Sequence, residues 1–390
     1  AGALPLLLRG MQLGQRNDLP LSPAFAALWG LGALCALGAA WQAKYHRMAA
    51  LIMLGGAGLV TCITFLWFSA PDLALTQLVV EIVTTILILL GLRWLPRRDQ
   101  TLAPLTAQTN YRARVRRIRD FLIAVSAGLG CAWLAFAMMS RPFPESTSTF
   151  FLEKALPEGG GTNVVNVMLV DFRGFDTFGE IVVLGIVALT IYALLRRFRP
   201  ARETMDLPEQ QRFLAGDLQT DLLNPRNAQD TAIGYLMVPA VLVRLLLPFA
   251  TMVAVYIFLR GHNEPGGGFV AGLVFSVALL LQYIVSGTQW VEAHLPLFPR
   301  RWIGVGLLLA VATGLGSIAV GYPFLTSHSF HWTLPVLGEV HLASATFFDL
   351  GVFALVVGAT LLILTALAHQ SVRAHRYHSR LLEESVLPKD

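Results

Sequence analysis

The sequence is short of charge. Of its 390 residues only 14% are Asp, Glu, Lys or Arg and 55% are apolar, whereas an ordinary soluble domain carries about a quarter charged residues. That shortage excludes a cytosolic enzyme and a disordered tail, both of which need polar surface. Cysteine is scarce as well. The three present, Cys35, Cys62 and Cys131, fall inside apolar runs without CxxC spacing, so neither a disulfide scaffold nor a zinc site is indicated and they read as small core residues. No Gly-Lys-Ser/Thr phosphate loop, catalytic triad, dinucleotide fingerprint or haem ligand pair occurs, and no cofactor or metal is expected. His328, His331 and His341 share one loop but lack helical metal spacing. The Leu4 to Leu8 run is too short for a signal-peptide core and has no basic flank before it. The chain opens on Ala1 and is expected to be a processed or truncated piece of something longer.

What the sequence has in abundance is long apolar runs. Nine segments could each cross a hydrocarbon layer as a helix: Ala24 to Ala43, Met48 to Ser69, Leu73 to Leu92, Phe121 to Ser140, Thr177 to Leu195, Tyr235 to Leu259, Gly267 to Gly287, Trp302 to Gly321 and Ala343 to Ala368. Runs of this length in series mean helices rather than barrel strands, so the fold class is an all-α polytopic membrane bundle. The net charge of +5 would suggest nucleic acid in a soluble protein; here its distribution matters more, and no nucleic-acid partner is expected. Of the 29 Lys and Arg, 22 lie in alternate loops and the C-terminal tail, six lie in the opposite loops, and Arg244 lies inside a span. Cytoplasmic loops collect basic residues, so the N-terminus is expected outside and the C-terminus inside a cell inner membrane crossed many times.

A polar, proline-bearing stretch separates two units. The expected division is a five-span unit at 1–199, a cytoplasmic linker at 200–234 and a four-span unit at 235–390. The basic loop from Arg93 to Asp120 could include a short surface helix, and it reads foremost as an orientation signal that also touches anionic lipid. The stretch from Asn163 to Val170 is apolar but too short to span, and is expected to lie in the interface or to re-enter.

Only four charges fall inside the spans: Glu81, Glu180, Arg244 and Asp349. A carboxylate at that depth costs several kcal/mol unless protonated, paired or hydrated, so each needs a reason. Glu81 lies about 12 Å into the third span, near the midplane. Gln77, Glu81, Thr84 and Thr85 share one helical face, a polar stripe that should turn to protein or water. Ion or proton handling is favoured for Glu81 over neutral hydrogen-bonded glue between helices. Asp176 and Glu180, spaced i, i+4, would present two carboxylates on one face and suit a cation between them. Asp176 could equally cap the helix start, with Asp171 paired to Arg173. Asp72, after Pro71, reads first as a cap. Asp349 is either a channel-facing acid or a partner for Arg260 or Arg173, and Arg244 fits pairing or positioning better than a pathway. Gly266, Gly267 and Gly268 read first as a tight packing turn and second as an ion-contacting loop. The candidate pathway set is therefore Glu81, Glu180, Asp176, Asp72, Gln77, Thr84 and Asp349.

Three motifs carry a resemblance: PDLALTQLVVE at Pro71 to Glu81, NVVNVMLVDFRGFDTFGE at Asn163 to Glu180, and GHNEPGGGF at Gly261 to Phe269. The chain resembles the Mrp-type multisubunit Na+/H+ antiporters, relatives of the membrane arm of complex I and of membrane-bound hydrogenases. The first two motifs look like the C-terminal part of the family's large A subunit and the third like its small B subunit, in one polypeptide. The long N-terminal antiporter-like portion of the large subunit has no counterpart in these residues. The resemblance implies a membrane subunit of a cation/proton antiporter, with other membrane subunits, Na+ and H+, and the lipid bilayer as partners. It aligns Glu81 and Glu180 with acids serving cation or proton passage. A structural adaptor, and the ion-pumping module of a hydrogenase or complex I relative, are the alternatives.

Overall fold

The computed structural model describes residues 22–43, 46–92, 111–139, 146–197, 237–286, 288–295, 297–334 and 338–386. The linker at 200–234, the start of the sixth span, the basic loop from 93 to 110 and the residues before Ser22 lie outside the described residues.

Ser22 starts α1 (Pro23–Gln42) by accepting the Phe25 N–H on its Oγ at 3.4 Å, with Pro23 preset in the first turn. α2 (Arg47–Trp67) packs back on α1, and a tight turn with Ser69 at φ 57° leads into α3 (Pro71–Leu92). α4 (Tyr111–Met139) begins about ten residues before the expected span. Residues 111–120 of the basic loop are thus the first turns of α4, while its residues 93–110, where a short surface helix could also fall, lie outside the described residues. α5 (Ser148–Gly159) stops at Gly160, whose φ of 71° only glycine adopts freely. α6 (Val164–Val167) winds into a π-helical turn, Met168–Phe172, which leads into α7 (Gly174–Arg197). Further along the chain come α8 (Met237–Arg260), α9 (Gly268–Ser286), the short α10 (Thr288–His294), α11 (Pro299–Ala319) and α12 (Ala345–Val386). Nine helices among the described residues are long and apolar enough to cross a membrane.

The connection between α11 and α12, expected as a plain loop, holds an antiparallel hairpin. In it β1 (Ser329–Leu334) pairs with β2 (Gly338–Ala343), and His331 stands opposite His341. The strict alternation Ser-Phe-His-Trp-Thr-Leu is the period-two pattern of a strand, too short to register beside runs of twenty apolar residues.

α12 is the axis of the bundle. Of its spanning window 72% is buried, against 11% for α1 and 6% for α4, so α12 is enclosed while α1 and α4 stand at the margin. α11, α9 and α7 pack around α12, α8 packs on α9, and α3 joins the first unit to α9. Lipid tails are as apolar as leucine, so burial of oil cannot by itself hold such helices together, and close backbone approach must do so. The α11–α12 contact is built that way. A Cβ at Gly351 would sit 2.8 Å from the Gly306 carbonyl and 3.0 Å from the Ala310 nitrogen, and one at Gly306 would sit 2.6 Å from the Gly351 carbonyl.

Backbone cannot step aside, so Gly351→Ala is expected to destabilise the α11–α12 pair by about 1–3 kcal/mol. Gly304→Ala, where nothing lies within 4 Å, should hold stability or raise it by up to about 1 kcal/mol. Thermal unfolding of the purified protein in detergent compares the two, and equal melting temperatures would contradict this account of the contact.

Candidate functional site

The chain reversals between α2 and α3, between α8 and α9, and between α11 and α12 meet the α5–α7 segment at one end of the bundle, here the polar end. The α8–α9 turn, Gly261 to Gly267, is its centre. Gly267 has φ 99°, and a Cβ at Gly261 would meet the Gly266 carbonyl carbon at 3.1 Å, so the chain doubles back as closely as backbone allows. That geometry leaves amides pointing away from the turn, and carboxylates from two other helices accept them. Asp72 on α3 accepts the Gly266 N–H on Oδ1 at 2.9 Å. Asp349 on α12, buried, accepts the Gly268 N–H on Oδ2 at 2.7 Å and so caps α9 from a neighbouring helix.

Asn163 completes the joint. Its Oδ1 accepts the Val165 and Asn166 N–H groups at 3.2 and 3.3 Å, capping α6. Its Nδ2 donates to the Gly261 and Glu264 carbonyls at 3.1 and 2.9 Å and reaches Asp72 Oδ1 at 3.3 Å. His262 Nε2 donates to the Gly159 carbonyl at 2.9 Å, the only role that acceptor permits, and Thr162 Oγ donates to the Asn263 carbonyl at 2.8 Å. Asp72 and residues 159–163 thus hold the α8–α9 turn through bonds spanning about a hundred residues or more of sequence.

Glu81 lies elsewhere, nine residues and about 14 Å further along α3 from Asp72. It is half-buried, its carboxylate turned into the seam with α2, where Gly55 and Gly58 leave room for it. Gln77, one turn earlier, approaches Glu81 Oε2 with Nε2 at 3.5 Å. Thr85 is half-buried, but Thr84 faces outward from the chain. The polar stripe therefore divides between the α2–α3 seam and an open surface.

The second acidic pair behaves differently. Asp176 forms an ion pair with Arg173, and Glu180 is exposed on α7. The partner of Arg173 is thus Asp176 rather than Asp171. Asp171, in the π turn, accepts the Ser327 N–H on Oδ1 at 3.0 Å and ties the α11–α12 connection to the joint. Asp349 meets neither Arg260 nor Arg173, since Arg260 bonds the Pro265 carbonyl at 2.9 Å and Glu264 at 3.1 Å. Arg244 lies over the Trp290 ring of α10 at 4.2 Å, a cation–π contact. Neither Asn163 nor His262 is marked by depth in a span or by acidic spacing. An asparagine just before an apolar run is a helix-start signal that would have marked the first.

The fold is that of a multi-pass α-helical membrane protein, with Asp349 buried and Asp72 half-buried where its chain reversals meet, and Glu81 half-buried in a span. Two family models for subunits of MBH match the first unit, MbhD over residues 31–97 and MbhE over 115–212, the latter running on into the linker. A domain related to the MnhB subunit of Na+/H+ antiporter matches 238–362. Over 381 residues the chain is 57% identical to a Rhizobium meliloti (strain 1021) protein named as the A/B subunit of a probable K(+)/H(+) antiporter, covering 97% of this chain and 38% of that protein. It is 46% identical over 115 residues to the B subunit of the Na(+)/H(+) antiporter of Bacillus subtilis (strain 168), covering 30% of this chain and 80% of that one. The structure of the Mrp complex from Dietzia sp. DQ12-45-1b superposes with a TM-score of 0.73 at 29% identity, over 90% of this chain and 35% of that one. The chain belongs to the Mrp/Mnh antiporter-subunit family, in its A/B form.

Two predictions test the joint. Asp349→Ala strands the buried Gly268 amide and should cost about 1–3 kcal/mol, while Asp349→Asn keeps an acceptor oxygen and should hold stability near the parent; equal melting temperatures for the two variants would refute the capping role. Burial pushes Asp171 above the ordinary carboxylate range, with the Ser327 hydrogen bonds and nearby His262 opposing. The folded protein then holds this proton more tightly than the unfolded one. Its contribution is fullest below the ordinary carboxylate range and is lost as pH rises to the raised value. Asp171→Asn should remove that decline, so the variant gains on the parent as pH rises through the acidic range. A melting-temperature difference independent of pH would contradict it.

Proposed function

We propose that this chain is a membrane subunit of a multisubunit monovalent cation/proton antiporter, a secondary active transporter, and that Glu81 and Glu180 contribute carboxylates to its cation or proton route. The observation that carries the proposal is the place of Glu81. It is a half-buried acid deep in a span, held by one long contact to Gln77, whereas Asp72 and Asp349 are engaged by backbone amides. A loosely held acid can exchange a proton or a cation; a capping acid is tied to its amides. Protonation of Glu81 and Glu180 would alternate with release or cation occupancy, so that proton entry drives export of Na+ or K+. The other membrane subunits of the complex are the partners, and the exposed Glu180 and Thr84 fit surfaces that those subunits or water cover.

In this reading the polar end faces outside and the C-terminus lies inside, with the units at 1–199 and 235–390 joined by a cytoplasmic linker at 200–234. The adaptor reading has support of its own at one place: Asp72, Asp349 and the Gly266 to Gly268 turn act as structural glue between the units. Both roles then reside in one chain.

Glu81→Gln keeps shape and removes the charge. In everted membrane vesicles bearing the whole complex, cation-driven proton movement should fall to background while the complex still assembles. Unchanged exchange would overturn the proposal for this residue.

A further inference from the structure

α2 is sandwiched between α1 and α3, and its glycines divide between the two neighbours. Toward α1, a Cβ at Gly56 would lie 3.2 Å from Cys35 Sγ, and Val60 fills the space beside Gly32. Toward α3, Gly55, Gly58 and Cys62 share the opposite face, and Cys62 Sγ reaches the Ala74 carbonyl at 3.2 Å. What faces Gly58 is not backbone and not an apolar side chain. A Cβ there would overlap Glu81 Oε2 and lie 2.5 Å from Cδ and 3.0 Å from Oε1. The carboxylate occupies the volume that any other residue at position 58 would fill.

Resting on the reading of Glu81 as a pathway acid, we propose that Gly58 is a positioning residue: its missing side chain is the seat that holds the Glu81 carboxylate in the α2–α3 seam.

Glycine in a helix interior lowers helix stability relative to alanine, so its presence in mid-span has to serve contact or access. The glycine contact at Gly58 differs from that between α11 and α12 in what blocks it. At Gly306 and Gly351 the obstacle is backbone, which cannot move. At Gly58 it is the far end of a flexible side chain, which can. An alanine at 58 would leave the helices packed and push the carboxylate out of the seam, toward the side of α3 where Leu78 and Ile82 are exposed. Gln77 at 3.5 Å is too distant to hold it back. Replacement would therefore separate position from presence: the acid remains and its location changes.

The test uses the whole complex in everted vesicles with Gly58→Ala, Glu81→Gln, the double variant Gly58→Ala with Glu81→Asp, and Gly91→Ala as control, since nothing lies within 4 Å of a Cβ there. Gly58→Ala should assemble and melt like the parent. Its maximal exchange rate should fall by about 10-fold to 100-fold, with a displaced pH profile. Shortening the acid by one methylene in the double variant should restore part of the rate, and the control should match the parent. If Glu81→Gln is inactive while Gly58→Ala keeps the parental rate, cation KM and pH profile, Gly58 is not a positioning residue. Failure of Gly58→Ala to assemble also overturns the proposal, because a seat for a movable group tolerates a methyl. Full exchange in Glu81→Gln instead removes the reading of Glu81 on which it rests.

Discussion

An amide shut away from water without an acceptor is expensive, and the turn between α8 and α9 presents two that its own stretch of chain does not satisfy, at the half-buried Gly266 and the buried Gly268. The turn must be tight because α8 and α9 pack side by side, and tightness aims those N–H groups away from the stretch of chain that makes it. Asp72 and Asp349 supply the acceptors, one from each unit. Once Asp72 is committed there, the start of α3 is fixed against α9, and Asn163 adds the α5–α7 segment by bonding the same turn. The helices before and after residues 200–234 are thus held together at the polar end by hydrogen bonds to backbone. The deeper contact between α3 and α9 is apolar.

This arrangement separates acids by task. Two carboxylates with short bonds to amides hold the fold, and a third, Asp171, ties the α11–α12 connection to it through Ser327. Glu81 is held differently. Its companions are a distant amide and a helix face without side chains, so its oxygens keep free lone pairs in a seam that only partly encloses them. Glu180, exposed on α7, has no cover from the described residues of this chain that would make lipid an acceptable neighbour. A pathway assembled from several subunits would leave acids in these two conditions.

Much of the architecture was legible in the residues, and what escaped has a physical cause. Span lengths follow from bilayer thickness, so all nine spans correspond to helices of the described residues, although α4 and α12 extend beyond the hydrocarbon where composition alone gives no boundary. The Gly266 to Gly268 turn is visible from residue type, whereas Asp72, which residue type reads as a cap of its own helix, instead accepts the Gly266 amide and Asn163 Nδ2. That Asp72 would serve a turn 194 positions away is not visible, since hydrogen-bond partners at such separation leave no local pattern. Asp349 shows the same limit: an acid near a span end looks alike whether it lines a channel or caps a neighbouring helix. The i, i+4 spacing makes Asp176 look like half of a cation pair because spacing counts residues, but Arg173, three positions earlier, reaches it first. The hairpin at Ser329–Leu334 and Gly338–Ala343 was hidden by the stronger signal of the spans around it.

The central claim is that Glu81 changes its protonation when the cation arrives, while Asp72 and Asp349 keep theirs. Infrared difference spectroscopy of the purified complex, with and without saturating Na+ or K+ at constant pH, reads carboxyl protonation directly. The expected result is a carboxylic-acid C=O band that responds to the cation and vanishes in Glu81→Gln. A cation-responsive band that survives in Glu81→Gln and disappears in Asp349→Asn would contradict it.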